Sequence, residues 1–114
     1  MHELALCRNM LAQVSAIAAE HGARAVARVS VRLGPLSGVE PELLRRAFPL
    51  AAAGTPARGA ELVIDTLPVR VHCERCGHDS DATPQNLVCR HCGDWRTRLV
   101  GGDEMLLAEV ELVH

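Results

Sequence analysis

The sequence predicts an α+β fold in which two helices pack on a small three-stranded sheet and a cysteine-rich lobe is inserted before the last strand. Three observations predict it. Two stretches carry apolar residues at helical spacing, three alternate apolar with polar, and residues 72–98 do neither but contain two Cys-x-x-Cys pairs. The order is therefore helix, strand, helix, strand, insert, strand. This makes the main domain discontinuous, 1–71 and 99–114, around a lobe at 72–98.

Residues 4 to 20 set Leu4, Cys7, Leu11, Val14 and Ala18 three or four apart, the stripe of an amphipathic helix, and Gly22 suits its left-handed C-terminal cap. From Arg28 to Leu33 the period changes to two, with Val29, Val31 and Leu33 on one side and Arg28, Ser30 and Arg32 on the other. Gly34, Pro35, Ser37 and Gly38 make a turn. Pro41 then stands at the first position of a second helix expected to run to about Ala53, bury Leu43, Leu44, Ala47 and Leu50, and end at Gly54. Pro49 removes one backbone hydrogen bond within that helix and predicts a kink or early stop near Phe48. Leu62 and Ile64 alternate with Val63 and Asp65 as a second strand, resuming at Val69 and Val71 after Pro68. Met105 to Val113 reads as the third, with Ala108, Val110 and Leu112 opposite Glu109 and Glu111.

Composition narrows the function. Of 114 residues 48% are apolar but only Phe48 and Trp95 are aromatic, so the core is built from Leu, Val, Ile and Ala and stacking platforms are nearly absent. The formal net charge is −2, and the twelve cationic residues, all Arg, are spread along the chain. That distribution does not ask for nucleic acid. No stretch reaches the roughly 18 apolar residues of a membrane span, and the first residues lack the basic region and cleavage site of a signal peptide. A cytoplasmic protein is expected.

In a reducing compartment four cysteines in two close pairs point to a metal, not to disulfides. Zinc takes four thiolates in a tetrahedron, and each short turn aims two sulfurs at one ion, so Cys73, Cys76, Cys89 and Cys92 are the expected ligands of a zinc-ribbon-like lobe. The halves repeat: Cys73-Glu74-Arg75-Cys76-Gly77 echoes Cys89-Arg90-His91-Cys92-Gly93, with twelve residues between the pairs. Gly77 and Gly93 allow a positive φ and let amide hydrogens turn toward sulfur. Four thiolates leave no position for water or substrate, so the zinc is expected to be structural, which argues against a zinc enzyme. His72, His78 and His91 flank a shell already filled. A thioredoxin-like redox pair normally occurs singly beside a βαβ pattern, which is missing here. Cys7, on the apolar stripe, reads as core.

The chain begins Met1-His2-Glu3. A terminal amine, the next amide nitrogens and an imidazole lie within chelating reach of one another, and square-planar nitrogen ligation suits Ni(II) or Cu(II). With this opening, continued by Leu4 and by Leu6-Cys7, with Leu33-Gly34-Pro35-Leu36-Ser37-Gly38-Val39-Glu40, and with the two Cys-x-x-Cys pairs before a final strand, the chain resembles the HypA/HybF hydrogenase maturation factors over essentially its full length. The resemblance implies a nickel metallochaperone. It implies Ni(II) bound through the imidazole of His2 with nitrogens of Met1, His2 and Glu3, zinc on the four cysteines, and a carboxylate near nickel at Glu40. It further implies a partner GTPase, delivery to a [NiFe]-hydrogenase large-subunit precursor, and a possible homodimer. Pro49 departs from the residue expected in that helix. The rival readings are a nucleic-acid-binding zinc ribbon, with Arg75, Arg90, Arg96 and Arg98 on phosphates, and a protein-interaction module with an inert terminus.

Overall fold

The computed structural model describes residues 2–114. The first helix, α1, runs His2–Glu20 and buries Glu3, Cys7, Met10, Leu11, Val14 and Ala18. Met10 widens the expected stripe, because residues three and four apart share one face. The helix ends as Gly22 predicted. Gly22 has φ 63°, its N–H donates to the Ala19 carbonyl, and the Ala23 N–H reaches back to Ala18 at 2.9 Å, the paired closure of a Schellman cap.

Strand β1 covers Ala25–Leu33, three residues longer at its start than the alternation marked, with Val29, Val31 and Leu33 buried and Arg28 and Arg32 exposed. It is the centre of a sheet in the order β2-β1-β6, where β2 is Glu61–Thr66 and β6 is Met105–Val113. On the outward side Arg28 joins both edges, to Glu61 at 2.7 Å and Glu111 at 3.1 Å. Opposite charges on neighbouring strands interact favourably there. On β6 Val110 and Leu112 are half-buried as expected, but Ala108 is exposed.

The second helix, α2, spans Pro41–Ala52 with Glu40 as its N-cap, accepting from the Glu42 N–H at 3.4 Å, and Pro41 in its first turn. The helix does not stop early at Phe48 but passes through Pro49, whose side chain is exposed and whose missing N–H removes one ladder bond. The buried face is Leu44, Ala47, Phe48 and Ala52, whereas Leu43 and Leu50 remain 47% and 69% exposed. Phe48 decides the rotation: its large ring faces inward, and Leu43 and Leu50 turn out to line a shallow groove with Glu3, Leu4, Arg46 and Ala47. Leu11, Val14, Val29, Val31 and Leu44, all below 2% exposure, lie at the centre of this core.

The residues Met1–Arg32, Val39–Asp65 and Leu106–His114 form one compact unit, and Leu33–Gly38 with Thr66–Met105 form a second. The second contains a sheet of its own, in the order β4-β3-β5, from β3 (Val69–Cys73), β4 (Asp79–Ala82) and β5 (Thr97–Gly101). Val69 and Val71 thus belong to a separate strand, because Pro68 has no N–H to continue the ladder of β2. Both pairings are antiparallel. β4 has no apolar stripe for a periodicity search to find. Its register sets Asp81 opposite Arg70 and Asp79 opposite His72, and both pairs close at 2.6 Å. The motif at 33–40 also gains a physical reason. A side chain at Gly34 would collide with the Gly102 carbonyl, and the two segments are stitched by Gly34 N–H to Glu104 O and Leu36 N–H to Gly102 O, at 2.9 and 2.8 Å.

Candidate metal centre

The two Cys-x-x-Cys pairs fold into near-identical knuckles. In the first, the Gly77 N–H donates to the Cys73 carbonyl at 3.0 Å and the Cys73 N–H to His78 O at 3.0 Å. In the second, Gly93 donates to Cys89 at 2.8 Å and Cys89 to Asp94 at 2.9 Å. Gly77 and Gly93 have φ 76° and 79°, a conformation that side chains with a Cβ rarely adopt. That turn aims amides at sulfur as expected. Cys76 N–H points to the Cys73 sulfur at 3.3 Å and Cys92 N–H to the Cys89 sulfur at 3.4 Å. The internal repeat in the sequence is thus a repeat in the backbone.

The knuckles bring all four sulfurs within 4.8 Å of one another, with Cys73–Cys92 and Cys76–Cys89 each at 3.6 Å. The cluster cannot hold four negative charges unaided. Amide hydrogens, foremost that of Cys92, bring the Cys89 thiol down to about 6, and the Cys76 amide leads in lowering Cys73. Cys76, although the His78 amide favours its thiolate, is pushed up to about 12 by burial and the neighbouring sulfurs. Cys92 is raised in the same way. Like charges at this distance repel, and a cation among them reverses the balance. Four sulfurs in this arrangement could hold a metal ion.

The flanking histidines are engaged elsewhere. His72 bonds Asp79, and the His78 and His91 rings stack at 3.9 Å between centroids. Among the described residues no histidine joins the four-cysteine group. Asp94, which carried no signal in the periodic pattern, is buried beside it. Its carboxylate accepts from the Arg96 N–H at 2.8 Å and from both arms of the Arg96 guanidinium at 3.0 and 2.9 Å, and lies 3.4 Å from Arg75. Those hydrogen bonds hold Asp94 well below the usual carboxylate range. The break in the repeat marked it, since the matching position of the first knuckle is His78.

At the other end of the chain Met1 lies outside the described residues. His2 opens α1 with its side chain 60% exposed, and its Nδ1 stands 3.5 Å from Glu3 Oε2. The Glu3 carboxylate is buried and accepts the Glu40 N–H at 3.3 Å, which ties the start of α1 to the cap of α2. Its own amide, then that of Glu40, lowers the Glu3 pKa. His2, Glu3 and Glu40 are thus brought together, within the first unit. Cys7 is fully buried, as expected of a core residue, and its S–H reaches the Leu44 carbonyl at 3.7 Å.

Comparison with known proteins completes the picture. Residues 1–112 match the family described as "Hydrogenase/urease nickel incorporation, metallochaperone, hypA". The chain is 45% identical to hydrogenase maturation factor HypA of Nitrosospira multiformis, covering 99% of this chain and 98% of that one. It is 37% identical to that of Aquifex aeolicus, covering 98% and 97%. Its fold superposes on a solution structure of HypA protein with a TM-score of 0.77 at 26% identity, over 99% of this chain and 97% of that one. It also superposes on the Ni metallochaperone HypA of Helicobacter pylori with 0.75 at 24% identity, over 97% of each. With its two helices, two three-stranded sheets and four-cysteine lobe, the chain belongs to the HypA family of hydrogenase maturation factors, which are metallochaperones and not enzymes.

Proposed function

We propose that this protein binds one Ni(II) through Met1, His2 and Glu3 and passes it, with a partner GTPase, to a [NiFe]-hydrogenase large-subunit precursor in the cytoplasm. The observation that carries the reading is the match of residues 1–112 to a nickel-incorporation family, with His2 exposed in the first turn of α1. That position suits the chemistry. The first N–H groups of a helix have no intrahelical acceptor, so the amides of His2 and Glu3 could lose their protons to solvent and bind a metal without breaking the ladder. The Glu3 amide would exchange its own carboxylate for nickel. Glu40, whose N–H is held by Glu3, is the candidate for the carboxylate that the family resemblance sets near nickel. Imidazole and amine must both be unprotonated to bind, so nickel uptake falls in mild acid. No helix among the described residues is long and apolar enough to cross a membrane.

The four cysteines fit zinc. A tetrahedron with Zn–S near 2.3 Å sets sulfurs about 3.8 Å apart, and two sulfur pairs stand at 3.6 Å. When bound, zinc supplies charge neutralisation and a fixed joint between the knuckles, with no open position for chemistry. The division of labour is then a nickel-handling part in the first unit and a zinc lobe, centred on 72–98, in the second. The nucleic-acid reading loses support, because three of the four arginines it needs are engaged: Arg75 and Arg96 on Asp94, and Arg98 on Glu74 at 3.1 Å.

The test is elemental analysis of untagged protein followed by Ni(II) titration of wild type and His2→Ala in the visible spectrum. One zinc in both proteins, and a square-planar nickel spectrum in the wild type alone, is the expected result. Equal nickel affinity in the two would sink the assignment to His2.

A further inference from the structure

We infer that Asp94 is a positioning residue of the metal centre, which sets the spacing of the two cysteine knuckles by holding the Arg96 backbone against the first knuckle. The inference rests on the reading that the four cysteines hold zinc. Three observations on different groups converge on it.

The first is the route through the main chain. The Asp94 carboxylate accepts the Arg96 N–H at 2.8 Å, and the carbonyl of that same Arg96 accepts the N–H of Glu74 at 2.8 Å. Glu74 lies between Cys73 and Cys76. One side chain following the second pair thereby fixes a backbone bond into the turn that carries the first. The second observation is the side-chain bridge. Asp94 lies 3.4 Å from the Arg75 guanidinium, inside the first pair, while two arms of Arg96 close on it at 3.0 and 2.9 Å. The third is burial. The Asp94 side chain is only 7% exposed, whereas Arg75 and Arg96 are 63% and 55% exposed, so the carboxylate is the fixed member and the arginines fold down onto it. An ionised carboxylate is withdrawn from water only where such partners replace its solvation.

Outer groups that orient ligands typically change metal affinity by 10- to 100-fold when removed. Here the sign separates geometry from charge. A carboxylate beside four thiolates is electrostatically unfavourable, so if Asp94 acted by charge alone, its removal would make zinc harder to extract. If it acts by position, removal lets the knuckles drift and zinc leaves sooner.

The experiment measures zinc release from the full chain to a chromophoric chelator, for wild type, Asp94→Ala and Asp94→Asn. Asn keeps an oxygen for the Arg96 N–H. The expected result is release about tenfold faster from the Ala variant, with Asn between it and wild type, and a Co(II)-substituted spectrum that is wild-type in Asn and altered in Ala. The far-UV helix signal checks the first unit, which holds α1 and α2, and one zinc bound per chain before release checks that the lobe of each variant is folded. Should the Ala variant fail to fold, faster release from Asn than from wild type carries the inference. Release at the wild-type rate or slower from the folded variants overturns it while leaving the zinc reading intact. A wild-type protein that holds no zinc would instead remove the reading itself.

Discussion

Cys7 has no accessible surface, and burial, with the charge of Glu3 adding to it, pushes its thiol pKa up. The sign of the linkage follows. The unfolded chain releases this proton near its ordinary value of about 8.5, while the folded chain keeps it, so the contribution to stability is neutral below that pH and becomes a loss above it. Iodoacetamide should therefore leave Cys7 unmodified in the native protein and label it only after denaturation; equal labelling rates would mean an open core. Its neighbour Leu44 is also fully buried. Leu44→Ala should cost about 2–5 kcal/mol in urea unfolding, the range for a large apolar side chain removed from a core, and a cost near zero would contradict the packing. Both residues were legible as apolar positions three or four apart, because burial follows the 3.6-residue period. Glu3 was legible only in part. The resemblance gave it a nitrogen toward nickel, but its role as an acceptor for Glu40, 37 positions away, depends on a contact no local pattern encodes.

At the scale of elements the strongest sequence signals were turns and caps, because they act over a few residues. Gly22 and the Glu40–Pro41 start fell where local geometry requires them. Pro49 does not stop the helix early, since packing on its other face holds it. Restoring the missing hydrogen bond by Pro49→Ala should stabilise the protein by about 1–3 kcal/mol. No gain in thermal midpoint would mean that the ring itself is needed. Gly34 makes the opposite case. A methyl group there meets the Gly102 backbone, which has no flexible end to move aside. Gly34→Ala should destabilise by about 1–3 kcal/mol as an overpacked contact, and an unchanged midpoint would show that the 34–38 segment can shift away. Strand β4 of the second sheet was hidden for a different reason. It meets β3 charge against charge, Asp81 with Arg70 and Asp79 with His72, and only the register shows it.

At the scale of the whole molecule the two units have separate reporters. Both helices lie in the first unit, and the single tryptophan, Trp95, 78% exposed, lies in the second, beside the cysteine cluster. A metal ion held by the four cysteines would contribute folding free energy to a small lobe, so a strong chelator should shift Trp95 emission and leave most of the 222 nm helix signal. A joint collapse of both would mean that the first unit cannot stand without the metal. The sequence by itself determined the four cysteines, the α+β class, the order of the two helices and three strands of the first unit and the resemblance to a nickel-handling family, because spacing and periodicity are local properties written directly in the chain. Only the tertiary structure decided that β3 leaves the first sheet for a second, which way α2 turns its leucines, and that Asp94 joins the two knuckles. Each of these depends on which distant residues come to lie together: Phe48 claiming the core side of α2, Pro68 interrupting a ladder, and an aspartate withdrawn from water between two arginines.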